Sequence, residues 1–176
     1  MHHGRGSQPD VQAATAGLGM TIVAYKAGIM AADTQLSGGN SKCQAQKLVR
    51  LPDGGVAGGC GTWANAYAGL KFLADGGKED DDVKPDIDGS TILIAKPDGT
   101  LWLLEGRFPA FPILDKTMAI GCGADAATMA MALGKTALES VGLVTHQDIM
   151  CGEPVQTMEV METFEYPDAK THKAKK

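Results

Sequence analysis

Two short runs of β-branched and apolar residues are the feature that most constrains how this chain can fold. The runs are Thr21–Lys26 and Ile29–Ala32, and the dipeptide Ala27-Gly28 lies between them. Glycine readily adopts the positive φ that a tight hairpin turn requires, so the pattern predicts a β-hairpin. Because a hairpin brings its two outer ends side by side, we expect Thr21 and Asp33 to be neighbours.

Thr21 has a second property of interest, which is its position directly after Met20. Removal of everything upstream would leave a threonine that carries both a hydroxyl and a free α-amine. A nucleophile and a base in one residue is an established arrangement for covalent catalysis. The alternative is that Thr21 merely starts a strand, and on this stretch alone we favour that interpretation.

The composition of the chain limits the classes of protein to which it can belong. A chain of 176 residues, 44% of them hydrophobic, is expected to form one domain with a substantial core. The formal net charge of −5 argues against nucleic acid as the main partner, and no apolar run approaches membrane-spanning length. The cysteines are widely spaced and suggest neither a zinc site nor a disulfide framework, which favours reduced thiols in the cytoplasm; they are Cys43, Cys60, Cys122 and Cys151.

The chain divides into three parts by composition. Residues 1–20 lack apolar periodicity and begin with a histidine pair after Met1, so they are interpreted as a tag, a propeptide or an over-long gene start. Residues 21–165 are predicted to form a single domain. Residues 166–176 are predicted to be a basic tail that frays in solvent.

Glycines and prolines separate further predicted elements within the domain. A polar loop is expected over Leu36–Gln44, and two prolines make Phe108–Ile113 an edge strand or an irregular segment. The other predicted strands are Lys47–Leu51, Val56–Gly59, Thr91–Ala95, Thr100–Leu104, Met118–Ile120 and Val155–Val160, and the predicted helices are Thr62–Leu73, Asp125–Leu133 and Thr136–Val144. Strands grouped apart from helices indicate sheets stacked between helical layers.

Six motifs follow one another in an order typical of a known family. They are Thr21-Ile-Val, Gly28-Ile-Met-Ala-Ala-Asp33, Gln46-Lys47-Leu-Val-Arg-Leu51, Val56-Ala-Gly-Gly, Ile120-Gly-Cys-Gly and Asp148-Ile-Met-Cys151-Gly152. Together they resemble the proteasome β-subunit and heat-shock-locus V peptidase family, in its compact bacterial or phage-type members, from Thr21 to Val160. The resemblance implies an α+β fold, a four-layer αββα sandwich of two mostly antiparallel sheets between helices, of the N-terminal nucleophile hydrolase type.

The resemblance also implies roles for five residues. Thr21 would be the nucleophile, and its α-amine would take the hydroxyl proton directly or through a water. Lys47 would stabilise developing charge beside it, and Asp33 would hold Lys47 in place. The Gly58 N–H would donate to the oxyanion, and Asp148 would orient the threonine amine.

Each of these residues also has a purely structural interpretation. Lys47 could be a solvent-facing strand lysine, Asp33 a turn residue, and Asp148 a loop residue after a helix. Gly58 could serve tight packing.

The sequence departs from the family pattern in three places. Cys122 and Cys151 replace serines that usually relay protons, and a thiol is the weaker hydrogen-bonding group. The hairpin that joins Thr21 to Asp33 is shorter than usual, and an uneven shortening would turn side chains to the wrong face. Met20 replaces glycine before the threonine, which suits removal of a start methionine.

The function that the resemblance implies is that of a threonine-type endopeptidase without a cofactor or metal. It would form a homo-oligomeric ring that hydrolyses unfolded polypeptides supplied by an ATP-dependent unfoldase. The main alternative is a non-catalytic proteasome-like shell or scaffold subunit in which upstream residues block Thr21. Hydrolysis of a non-peptide amide, and a cysteine enzyme built on Cys151 and His146, are further alternatives.

Overall fold

A computed structural model describes residues 21–38, 41–148 and 151–161. The interpretations of residues 1–20 and 166–176 lie outside the described residues. In chain order, the described elements are β1 (Ile22–Lys26), β2 (Ile29–Ala32), β3 (Gln35–Gly38), β4 (Ser41–Gln44), β5 (Leu48–Arg50), β6 (Val56–Gly61), α1 (Trp63–Ala74), β7 (Ser90–Ala95), β8 (Leu101–Glu105), β9 (Arg107–Ile113), β10 (Thr117–Gly121), α2 (Ala124–Ala132), α3 (Ala137–Gln147) and β11 (Gln156–Glu159).

The hairpin predicted at the start of the domain is confirmed. β1 and β2 pair antiparallel with Val23 opposite Ala32. Ala27 and Gly28 have φ values of 50° and 85°, the positive pair whose twist matches that of the flanking strands. The pairing extends past β2, because the Asp33 N–H donates to the Ile22 carbonyl at 3.2 Å. The two ends of the short hairpin therefore remain side by side.

Two antiparallel sheets form most of the domain. One has the strand order β10-β1-β2-β11, and the other has the order β5-β6-β7-β8-β9. The segment with two prolines is β9, an edge strand as predicted. The polar loop predicted over Leu36–Gln44 is wrong, since β3 and β4 pair there as a separate hairpin. All four residues of β4 are exposed, so this hairpin lacks the alternation of apolar and polar residues that marks a half-buried strand.

Three apolar clusters hold the sheets and helices together. The first joins the two sheets to each other and includes Val23, Met30, Leu48, Leu93 and Leu101. The second packs the β1–β2 sheet against α2 and α3, and includes Ile22, Ala31, Ala127, Val141 and Val144. The third packs the other sheet against α1, and includes Ala57, Leu70 and Ile92. Neighbouring strand residues such as Ile22 and Val23 belong to different clusters because successive strand side chains point to opposite faces.

The mixed fold of antiparallel sheets and helices agrees with the prediction. Its strands also bring the candidate residues to one edge of the molecule. Thr21 precedes β1, Asp33 follows β2, and Lys47 immediately precedes β5. Among the helices that the structure describes, none combines the length and apolar character needed to cross a membrane.

Candidate active site

Lys47 is the centre of a fully buried polar cluster. Its side chain has no exposed surface, and neither has that of Asp33, while Thr21 is 1% exposed. The Lys47 Nζ donates to Thr21 Oγ1 at 2.8 Å, to Asp33 Oδ1 at 2.9 Å and to the Gln35 carbonyl at 2.5 Å. These three bonds use every donor of the ammonium. Lys47 is therefore not the solvent-facing lysine that was the alternative interpretation.

Asp33 ties three parts of the chain to this cluster. Its Oδ1 accepts from Lys47 and from the Ile22 N–H at 3.1 Å. Its Oδ2 accepts from the Gln35 N–H at 3.1 Å and from the Gly152 N–H at 3.3 Å. Such bonds to backbone N–H groups stabilise an ionised carboxylate in a buried place. Asp33 thus fixes the Lys47 ammonium relative to the start of β1.

Gln156 is a residue of this site that the sequence did not reveal. Its Oε1 accepts from the Lys47 backbone N–H at 3.0 Å, and its Nε2 donates to the Asp33 carbonyl at 3.0 Å and to the Ala45 carbonyl at 3.3 Å. One amide group therefore bridges the backbones that carry the acid and the lysine. These contacts cross at least 109 residues of chain, and no local motif could have indicated them.

Cys122, Asp148 and Cys151 form a second group next to Thr21. The Cys122 N–H donates to the Thr21 carbonyl at 3.0 Å, and its Sγ lies 3.7 Å from Asp148 Oδ2 and 3.6 Å from Cys151 Sγ. The hydrogen bond from Cys151 lowers the pKa of the Cys122 thiol. The same bond, followed by burial, raises the pKa of Cys151.

The structure does not bring the amide of Gly58 to Thr21. The next residue, Gly59, donates its N–H towards β5, to the Lys47 carbonyl at 3.3 Å. Since neighbouring amides of a strand point in opposite directions, the Gly58 N–H faces β7, where Gly58 pairs with Leu93. A side chain at this position would lie 2.7 Å from both Leu48 and Val23. The geometry supports tight packing between the sheets as the reason for this glycine.

The predicted pairing of Cys151 with His146 is also not formed. The His146 ring is 70% exposed and lies 3.7 Å from a carboxylate oxygen of Glu153, whereas the Cys151 thiol is buried against Cys122. A cysteine nucleophile needs a histidine within hydrogen-bonding reach, so this geometry favours the threonine interpretation.

The arrangement around Thr21 suits a nucleophilic hydroxyl. Its oxygen accepts a hydrogen bond from a buried cation, which stabilises negative charge that develops on that oxygen. The hydroxyl proton is left for a different acceptor, because the ammonium is a donor only.

Comparison with solved structures finds proteasome-type peptidases. BPH from Thiobacillus denitrificans, solved in complex with epoxomicin, superposes with a TM-score of 0.56 at 20% identity, covering 81% of this chain and 99% of that chain. Another structure of the same protein gives a TM-score of 0.53 at 20% identity, covering 81% and 98% of the two chains. HslV from Trypanosoma brucei gives 0.53 at 19% identity, covering 80% of this chain and 99% of that one. No protein-family model matches the sequence, and no curated protein matches it. The chain therefore has the fold of the proteasome-type peptidases BPH and HslV, as its motifs predicted.

Proposed function

We propose that this protein is an N-terminal threonine peptidase in which Thr21 is the nucleophile. The observation that carries the proposal is the buried hydrogen bond of 2.8 Å from the Lys47 ammonium to Thr21 Oγ1. Lys47 has no exposed surface, and complete burial of a lysine is unfavourable unless its charge is paired. Asp33 pairs it, and the remaining direct side-chain contact is the threonine hydroxyl.

The reaction follows from these positions. The Thr21 α-amine takes the hydroxyl proton, directly or through a water, while Oγ1 bonds to the carbonyl carbon of the substrate. The tetrahedral intermediate collapses when the C–N bond breaks, and the departing amine receives the proton from the Thr21 ammonium. Water then hydrolyses the acyl ester on Thr21, with the α-amine again acting as base. Lys47 stabilises the oxygen nucleophile throughout.

Asp148 and the two cysteines act on the amine side of Thr21. Asp148 orients the α-amine, and Cys122 and Cys151 stand in place of hydroxyls as the proton relay. The short Cys122–Asp148 and Cys122–Cys151 distances of 3.7 and 3.6 Å support a connected path. Sulfur makes weaker hydrogen bonds than oxygen, so proton transfer along this path is slower than through serines.

The larger architecture belongs to the same proposal. The three apolar clusters support a four-layer αββα sandwich in which α1 covers one sheet and α2 with α3 covers the other. Large apolar side chains on the helices, and one directly after α2, support a homo-oligomeric ring that encloses its sites; Tyr67, Met129, Leu133 and Leu143 are between 48% and 80% exposed. Unfolded polypeptides delivered by an ATP-dependent unfoldase are the substrates, and the free thiols suit the cytoplasm.

The test is a comparison of two chains that differ only in their start. One begins at Met20, so that removal of the start methionine exposes the Thr21 amine, and the other keeps residues 1–20. We expect the first to cleave an unfolded protein substrate and the second to be inactive. Thr21→Ser in the first chain is the matched control, because it keeps a hydroxyl and an amine. If both chains are inactive although the start at Thr21 is verified by mass, the non-catalytic subunit is the correct interpretation.

A further inference from the structure

Three side chains that can act as metal ligands lie close together beside Thr21. They are Cys122, Cys151 and Asp148, and one ligand atom of each lies within 4.8 Å of the other two. Cys122 Sγ is 3.6 Å from Cys151 Sγ and 3.7 Å from Asp148 Oδ2. The chain spacing gives no hint of this cluster, because Cys122 is 26 residues from Asp148 and 29 from Cys151.

The two separations from Cys122 fit the edges of a tetrahedral zinc site. Two sulfurs at the usual zinc distance of about 2.3 Å are about 3.8 Å apart at the tetrahedral angle. A sulfur and a carboxylate oxygen at the usual distances are about 3.5 Å apart. The Cys122–Cys151 and Cys122–Asp148 separations agree with these values within about 0.2 Å, and the remaining separation, between Cys151 and Asp148, lies within 4.8 Å.

We propose that Cys122, Cys151 and Asp148 form a binding site for zinc. Thiolates favour zinc over magnesium and calcium, which take oxygen ligands. Cys151 is buried and Cys122 is exposed, so the site has one ligand fixed in the core and one at which an ion can enter. The thiol protons leave to solvent as the two sulfurs bind the metal, and no oxidation or reduction takes place.

Three protein ligands leave the fourth position of the metal open. Thr21 lies next to this group of ligands, because its carbonyl oxygen is 3.6 Å from Cys122 Sγ. A zinc ion there would occupy the groups proposed to orient and relay the Thr21 proton, and it would therefore inhibit a peptidase. The binding itself does not depend on the proposed function.

The test uses Co²⁺ as a spectroscopic substitute for zinc, on the full chain after reduction and removal of metal. We expect about one Co²⁺ per chain, with the intense thiolate-to-cobalt absorption and visible bands of tetrahedral coordination, and displacement by Zn²⁺. His2 and His3 also attract Co²⁺, but nitrogen ligands do not give the thiolate absorption. Circular dichroism checks that every variant is folded.

Three variants identify the ligands. Cys122→Ser and Cys151→Ser should each weaken Co²⁺ binding at least about tenfold, the smallest effect expected when even an outer partner of a metal ligand is lost. Asp148→Asn should weaken it while keeping the thiolate absorption. Cys43→Ser is the matched control, since Cys43 is exposed on β4 and should leave binding unchanged. The proposal is overturned if folded, fully reduced protein shows no thiolate absorption, or if the Cys122 and Cys151 variants bind like the parent.

Discussion

Replacement of Lys47 by methionine removes the buried ammonium and keeps a side chain of similar length. The change leaves Asp33 without exposed surface and without its cation. Loss of one partner of a buried ion pair costs about 3–5 kcal/mol. Asp33 retains three backbone N–H donors, those of Ile22, Gln35 and Gly152, so the lower end of this energy range applies. We expect the free energy of unfolding to fall by about 3 kcal/mol.

The assay is equilibrium unfolding in urea at pH 7, followed by circular dichroism at one protein concentration. The midpoint should fall while the slope of the transition stays unchanged, because the surface exposed on unfolding is the same. Lys42→Met is the control, since Lys42 is exposed on β4 and its replacement should change stability by less than about 0.5 kcal/mol.

The double variant with Asp33→Asn separates the ion pair from side-chain volume. Once both charges are absent, no buried charge is left uncompensated. The loss in the double variant should therefore be smaller than the sum of the two single losses, by about 0.5–3 kcal/mol. Additive losses, or a Lys47→Met variant as stable as the parent, would refute the buried ion pair.

Three further predictions test other parts of the structure. Thr21→Ala in the chain that begins at Thr21 should abolish peptide cleavage while the chain stays folded, and it should lower the free energy of unfolding by about 1–3 kcal/mol because one donor of the buried Lys47 ammonium loses its partner. Gln156→Ala should lower activity, and it should lower the free energy of unfolding by about 1–3 kcal/mol because it leaves the Lys47 N–H unpaired. Gln147→Ala, on the exposed end of α3, is the control and should change neither the activity nor the stability. Burial raises the pKa of Cys60 from 9.0 to about 11, so the thiol ionises at lower pH in the unfolded chain than in the folded one. Its contribution to the free energy of unfolding is retained below pH 9 and should fall by about 2 kcal/mol as the pH rises to 11. Urea unfolding at several pH values should show this loss in the parent and not in Cys60→Ala.

Much of the fold could be predicted because its signals are local. The turn residues between β1 and β2, the prolines of β9 and the apolar periodicity of the helices act within a few residues of chain. The β3–β4 hairpin was missed for a physical reason, because its exposed strand β4 packs no apolar face and so carries no pattern. Its two strands are joined by backbone pairing.

The same difference between local and long-range signals explains which residues of the candidate site could be predicted. Thr21, Asp33 and Lys47 could be identified because each lies in a recognisable motif at the end of a strand. The packing role of Gly58 depends on which neighbour its amide faces, and only the pairing of β6 with β5 and β7 decides that. Gln156 depends on contacts across more than 100 residues, and such contacts leave no trace in local sequence.

The central claim is that Thr21 reacts through its hydroxyl and its own amine, and one measurement tests it most directly. The chain that begins at Thr21 is treated with epoxomicin, and its intact mass is recorded before and after. A peptide epoxyketone needs both groups of an N-terminal threonine to form its ring adduct. We expect a gain of one inhibitor mass that maps to Thr21 and is absent from Thr21→Ala. A chain with a verified Thr21 start that gains no mass, or gains it at a cysteine, would contradict the assignment of Thr21 as the nucleophile.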